Sequence, residues 1–216
     1  MEKTCVCLLK MPDRIGEAPL SNAVRAREIE KTGNEQKKRE KYWVFRLFED
    51  SLSAFFGLSA ENARPDPDGK WKTDGVYFSF SHSGDYAAVA LSDRPIGIDV
   101  QKIEAAIPKT LAERALTESE KKRLAQTREA EKTRAFFSIW AQKEALFKES
   151  EQAVFRPERW ETQNAAAWPI DIYDLPDAVI AASRPVGRAA FYVAEVAGRR
   201  LLFTEIHPES RKEESK

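Results

Sequence analysis

Apolar and polar positions alternate along this chain with two different periods, and each change of period marks an element. Residues 4 to 10, TCVCLLK, read as a first strand, followed by a loop around Pro12, Asp13, Gly16 and Pro19. Ser21 or Asn22 then caps a short helix to Glu30, which Thr32-Gly33-Asn34 ends. Between Glu35 and Phe56, the apolar residues Tyr42, Phe45, Phe48, Leu52, Phe55 and Phe56 return at helical intervals. That spacing predicts a second, longer helix with one inner face, closed by Gly57. Its other side carries Lys37, Lys38, Arg39, Lys41 and Arg46, a set that suits a solvated face or the recognition of phosphate.

Past a tight loop at Pro65, Pro67 and Gly69, the period falls to two. Lys70 to Lys72 and Val76 to Ser81 read as strands of a meander, and Gly84-Asp85 turns the chain into a strand from Tyr86 to Leu91. Phe78, Phe80 and His82 share one face of this hairpin and Ser79, Ser81 and Ser83 the other, which gives it a hydroxyl-rich, histidine-bearing tip. Ile96 to Gln101 follows as a strand whose isoleucines and valine face a core, while Gly97, Asp99 and Gln101 face the other way. Aspartate is disfavoured inside strands, and glycine leaves room for something bulky to approach the backbone. This face therefore reads either as a ligand site or as a bulged edge strand with solvated polar residues.

After Pro108 a short helix ends near Ala115, and Thr117-Glu118-Ser119-Glu120 forms a capping box that starts one long helix through Lys148. At 3.6 residues per turn, Phe137, Trp140, Ala141, Glu144 and Lys148 share a face of that helix, so an apolar stripe runs into a carboxylate and an ammonium. Taken alone, Glu144 and Lys148 also fit a surface pair one turn apart. Three further strands are predicted at Ala178 to Ala182, Ala189 to Val196 and Arg200 to Ile206, and HPESRKEESK reads as a disordered tail. No solenoid repeat is present, although each half of the chain reads as helices plus an antiparallel sheet.

Composition narrows the function classes. With 216 residues, 42% of them apolar, the chain buries a real core as one domain of two halves or as two small domains. Lysine plus arginine equals aspartate plus glutamate at 35 each, so no global basic field points to nucleic acid or an anionic membrane, and any anion site is local. No 18-residue apolar segment appears, and a cytoplasmic protein is expected. Cys5 and Cys7, two apart on one strand face, suit small buried side chains better than a disulfide or a zinc site.

Three polar clusters remain: Ser81-His82-Ser83 on a hairpin, Asp99-Val100-Gln101 on a strand, and Glu144 to Lys148 on a helix. Magnesium takes one or two protein carboxylates and completes its octahedron with waters and phosphate oxygens, so Asp99 with Glu144 has the content for Mg²⁺ on a diphosphate. His82 and Lys148 are suited to balance the remaining phosphate charge. FSFSHS, IGIDVQ and WAQKEALFK, in this order and spacing, resemble the three signature motifs of the 4′-phosphopantetheinyl transferases of the surfactin-synthetase-associated, single-chain type. The resemblance covers the layout of residues 35 to 206, and Trp140 to Lys148 matches W-x-x-K-E-A-x-x-K at every defined position.

The resemblance implies an α+β fold of two similar α/β halves related by a pseudo-twofold axis, each with a small antiparallel sheet packed on a long helix. The halves would be residues 1–94 and 95–207, with the active site in the cleft between them and 208–216 as the tail. It further implies Mg²⁺-dependent transfer of 4′-phosphopantetheine from coenzyme A to a serine of an acyl or peptidyl carrier protein, leaving 3′,5′-ADP. Such carriers serve fatty acid, polyketide or nonribosomal peptide biosynthesis. Asp99 and Glu144 would ligate the metal, with Gln101 offering a carbonyl oxygen or holding a metal-bound water. His82, with Ser81 beside it, would contact coenzyme A phosphate, and Lys148 would reach the diphosphate and stabilise the departing ADP. Glu144 would also be the general base, directly or through water. Gly69 and Lys70 would contact the nucleotide, and Lys41 and Arg46 are the candidates for the 3′-phosphate.

Two departures stand out. Many relatives have D-x-E where this chain has Asp99-Val100-Gln101, and many have a G-K-G turn where Glu149 to Ala153 follows Lys148. These departures keep open an alternative, a degraded relative that binds carrier protein or coenzyme A without transfer. A monomer is expected, since one chain supplies the whole cleft.

Overall fold

The computed structural model describes residues 3–150, 152, 154–162, 169–183 and 189–207, so the expected tail at 208–216 lies outside the described residues. Four layers are stacked on one another. The outer helix α2 (Glu35–Ser51) follows α1 (Ala23–Glu30), each capped by an asparagine, Asn34 and Asn22, that accepts from a backbone N–H in the first turn. A wide π-type turn at Leu52–Phe56 extends α2, and Gly57, at φ 66°, closes it as the sequence predicts.

Beneath α2 lies a sheet of β1 (Thr4–Lys10), β4 (Tyr77–Ser83), β5 (Tyr86–Ser92), β9 (Ala190–Ala197) and β10 (Arg200–Ile206), in the order β10-β9-β1-β5-β4. A two-stranded ribbon, β2 (Arg64–Pro65) and β3 (Trp71–Lys72), stands beside it. The third layer is a sheet of β6 (Ile98–Lys102), β7 (Ile170–Asp174) and β8 (Ala178–Ser183), in the order β6-β8-β7. Helices α3 (Lys109–Ala115), α4 (Glu118–Gln126) and α5 (Glu129–Ser150) lie in the second half of the chain, with α5 as the fourth layer.

Strand alternation builds the three cores. Cys5, Cys7 and Leu9 of β1 point with Val89 and Leu91 of β5 at Trp43, Phe45 and Phe48 of α2. Both cysteines are free and buried, as the sequence suggested. Val6 and Leu8, on the opposite face, meet Ile98 and Val100 of β6 and Ile180 of β8. Val179 and Ala181, on the far side of β8, pack on Phe136, Phe137, Ile139, Ala141 and Ala145 of α5. The 3.6 and 2.0 periods in the sequence therefore place these residues as expected. Among the described residues no helix is long and apolar enough to cross a membrane.

Three expectations need correction. The single helix predicted from the capping box through Lys148 is two helices, because Thr127 turns extended (ψ 140°) and its hydroxyl bonds the Arg123 carbonyl at 3.0 Å, ending α4. The capping box itself is present on Thr117 and Glu120. The sheets are not purely antiparallel, since β1 pairs with β9 in parallel. Finally, the space beside Gly97 is filled by the protein itself. A methyl built on Gly97 would run into the Ala145 carbonyl oxygen and the Glu149 backbone, so α5 rests directly on β6 there.

This close approach predicts an asymmetry between two glycines. Gly97→Ala should cost about 3 kcal/mol or more, because the obstacle is backbone. Gly33→Ala, with nothing within 4 Å of the built methyl, should be neutral or stabilising by under about 1 kcal/mol. Urea unfolding of the two variants checks this, and equal stabilities would contradict the contact.

Candidate functional site

The site forms where the two main sheets meet edge to edge. Strand β4 ends one sheet and β6 ends the other, yet they do not pair through their backbones. Instead the alternate serines of β4 accept the alternate N–H groups of β6: Ile98 to Ser79 at 3.2 Å, Val100 to Ser81 at 3.2 Å and Lys102 to Ser83 at 3.0 Å. Each hydroxyl satisfies a backbone donor that would otherwise be buried unpaired, a loss of about 1 to 3 kcal/mol per group. Of the three, the Ser81 hydroxyl also donates, at 2.7 Å, to Asp99 Oδ1.

Asp99 is 1% exposed, and three donors hold it. Besides Ser81, Lys148 Nζ reaches Oδ1 at 2.7 Å and Gln101 Nε2 donates to Oδ2 at 2.6 Å. Lys148 also donates to the Ile98 carbonyl at 3.0 Å and lies 3.9 Å from Glu144 Oε2, one turn back on α5. Because α5 sits against Gly97 through Ala145, both side chains reach β6. Burial, and then the charge of Asp99, push the Glu144 carboxyl up to about 7, against the pull of Lys148 and a hydrogen bond from Trp140. The Trp140 ring packs on Phe155 with centroids 5.5 Å apart.

The structure thus brings together Ser81, Asp99, Gln101, Glu144 and Lys148. Beside Lys148 a cleft of about 700 Å³ opens, lined by Gly69, Lys70, Tyr77, Pro95 and Phe147 among others. His82 faces away from Asp99, on the α2 side of β4, half exposed, with Nε2 3.6 Å from Glu40 Oε2. Lys41 is paired with Glu28 at 2.8 Å and bonded to Thr32, while Arg46 is paired with Asp50 at 3.0 Å and donates to the Arg199 carbonyl.

Lys143, between Gln142 and Glu144, received no role from the sequence. It is wholly buried, 2.5 Å from Glu120 Oε2, and donates to the carbonyls of Ala115 and Pro157. Glu120 in turn accepts from Thr117 and Thr162. Breaking such a pair leaves one buried charge alone, at about 3 to 5 kcal/mol, so it ties α5 to α4 and to the segment at 157–162. The available signal was a lysine on the same helix stripe as Phe136, Ile139 and Leu146.

Among the described residues no three His, Cys, Asp or Glu side chains gather as a ligand set. Two facing carboxylates and an amide suit magnesium that shares its shell with waters and phosphate oxygens, and they do not suit a closed tetrahedral zinc site. The raised Glu144 carboxyl is consistent with this, because a cation between the two acids would remove their repulsion.

A pH dependence follows. Between 4.5 and about 7 the folded protein keeps a proton on Glu144 that the unfolded chain has released. The stability contributed by that proton is fully present below 4.5 and is lost as pH rises through 7. In metal-free buffer, the Tm of the wild type should therefore fall relative to Glu144→Gln between about pH 5 and about pH 8. A constant difference would return Glu144 to its ordinary range.

Comparison with known proteins bears on the same residues. Residues 95–184 match the model of the 4′-phosphopantetheinyl transferase superfamily. The chain is similar to the 4′-phosphopantetheinyl transferase psf-1 of Bacillus pumilus, 40% identical over 73 residues, which are 33% of this chain and 30% of that protein. It is also similar to the 4′-phosphopantetheinyl transferase Sfp of Bacillus subtilis (strain 168), 31% identical over 82 residues, covering 38% and 36% of the two chains. The match thus spans about a third of the length of each of these relatives. The segment that matches the superfamily model is the one that carries Asp99, Glu144 and Lys148.

Proposed function

We propose that this protein transfers 4′-phosphopantetheine from coenzyme A to a serine hydroxyl of an apo carrier protein, leaving 3′,5′-ADP. The observation that carries the reading is the joined cluster of Asp99, Glu144 and Lys148, whose Lys148 lines a cleft with Gly69 and Lys70 on its wall. In this reading the serine oxygen forms a bond to the phosphorus that bears pantetheine, and the bond from that phosphorus to the bridging oxygen breaks. The serine proton passes to Glu144, whose carboxyl near neutrality suits a general base. The negative charge that develops on the 5′-phosphate of the leaving 3′,5′-ADP meets Lys148 and, beyond it, Lys70.

Asp99 and Glu144, with Gln101 beside them, are the residues that would hold magnesium, which neutralises diphosphate charge when bound. Ser81 fixes the Asp99 carboxylate, and Trp140 and Ala145 fix the helix face that carries Glu144. This is the division of labour expected for phosphoryl transfer, where a protein mainly positions groups and balances charge. His82, Lys41 and Arg46 remain the proposed contacts to the rest of coenzyme A. For Lys41 and Arg46 a 3′-phosphate would have to compete with Glu28 and Asp50.

Gln101 supports a second reading, binding of coenzyme A or carrier protein without transfer, because an amide replaces the third acid of many relatives. One assay separates the two. The protein is mixed with coenzyme A, Mg²⁺ and a panel of apo acyl and peptidyl carrier proteins, and each carrier is weighed by mass spectrometry. The transferase reading expects a gain of one phosphopantetheine on at least one carrier. It also expects Asp99→Ala and Glu144→Gln to lower the rate by about 100-fold or more in samples that circular dichroism shows to be folded. No gain across the panel favours binding alone, and near-normal rates in either variant would refute the roles of both carboxylates.

A further inference from the structure

We infer that Lys148 is the built-in cation of the carboxylate site: it competes with a divalent metal for Asp99 until an anionic diphosphate draws it away. Three bonds already occupy the Asp99 carboxylate, two on Oδ1 from Ser81 and Lys148 and one on Oδ2 from Gln101. Both lone pairs of Oδ1 are thereby engaged, so a metal ion that binds this oxygen must replace Ser81 or Lys148. Ser81 is fixed in turn by the Val100 N–H at 3.2 Å, as part of the joint between the two sheets. Of the two groups on Oδ1, Lys148 is the freer to leave, because a flexible four-carbon stem carries its ammonium and its side chain, 28% exposed, lines the cleft.

Charge points the same way. With its ammonium 2.7 Å from Asp99 and 3.9 Å from Glu144, Lys148 already offsets the two acids. A divalent ion added beside it meets repulsion at close range in a partly buried setting. A diphosphate in the cleft offers Lys148 another anionic partner on the side it already faces. Metal and diphosphate therefore assist each other's binding, and by linkage the assistance is equal in both directions. The bare ion binds weakly, and the coenzyme brings the site to its working charge. The identity of the diphosphate as coenzyme A rests on the transferase reading, whereas the competition between Lys148 and the metal does not.

The test uses Mn²⁺ as the probe, with free ion followed by electron paramagnetic resonance, in wild type, Lys148→Met, Lys148→Arg and Lys102→Met. Without coenzyme A, Lys148→Met should bind Mn²⁺ about tenfold tighter than wild type or more, and Lys148→Arg should stay near wild type. Lys102→Met removes a cation that pairs with Asp85, outside the cluster. It should leave Mn²⁺ affinity within about twofold, which separates local occupation from the general field. Coenzyme A should tighten Mn²⁺ binding to wild type by about tenfold and to Lys148→Met by much less. Equal or weaker Mn²⁺ binding by Lys148→Met overturns the inference. Tighter binding by Lys148→Met with no effect of coenzyme A on any protein leaves the competition standing and removes the coenzyme reading. Absence of Mn²⁺ binding in every protein, with and without coenzyme A, removes the metal assignment and the inference with it.

Discussion

Three serine hydroxyls join the two main sheets of this protein, and the position of Asp99, on which the rest of the cluster converges, follows from that joint. Backbone pairing between β4 and β6 would have fused the sheets into one surface. Hydroxyls in place of carbonyls satisfy the N–H groups of Ile98, Val100 and Lys102 while keeping the strands apart and the sheets in separate layers. The β6 edge, which would otherwise be exposed, is thereby covered. Because Ser81 is both acceptor for Val100 and donor to Asp99, one hydroxyl links the architecture to the carboxylate.

The second constraint comes from the other side of β6. Gly97 has no side chain, Ala145 has a small one, and α5 settles against the strand where they meet. Glu144 and Lys148 flank that contact on the helix, so the packing that buries Val179 and Ala181 also carries the Glu144 carboxyl and the Lys148 ammonium to Asp99. The buried Lys143–Glu120 pair holds the outer side of the same helix. Apolar residues of equal volume often stabilise a protein as well as such a pair does, and what the pair adds is one required rotation of α5. Burial that stabilises the helix and burial that raises the Glu144 carboxyl are thus parts of one arrangement.

Much of this was legible in the sequence, and the rest fails for identifiable reasons. Period-two alternation placed Asp99 and Gln101 opposite Ile98 and Val100, and helical spacing placed Glu144 and Lys148 on one face. The serines read as a hydroxyl-rich tip because their partners are backbone N–H groups, which no residue letter records. Gly97 signalled a close approach, yet a single sequence cannot distinguish a ligand from a helix 48 residues further on at Ala145. The break at Thr127 turns on one side chain bonding its own helix, which outweighed helix propensity on both sides. The parallel β1–β9 pair joins residues far apart in the chain, where no local pattern reaches.

Asp99 and Glu144 are thereby left facing each other, with Lys148 between them and the cleft. Crystals grown with coenzyme A and Mn²⁺, with data collected at the manganese absorption edge, locate the cation without reference to any rate. One anomalous peak bridging the Asp99 and Glu144 carboxylates, with Lys148 turned from Asp99 toward the diphosphate, is the expected result. A peak elsewhere, or bound coenzyme A with Lys148 still on Asp99 and no peak, would contradict the assignment of these residues.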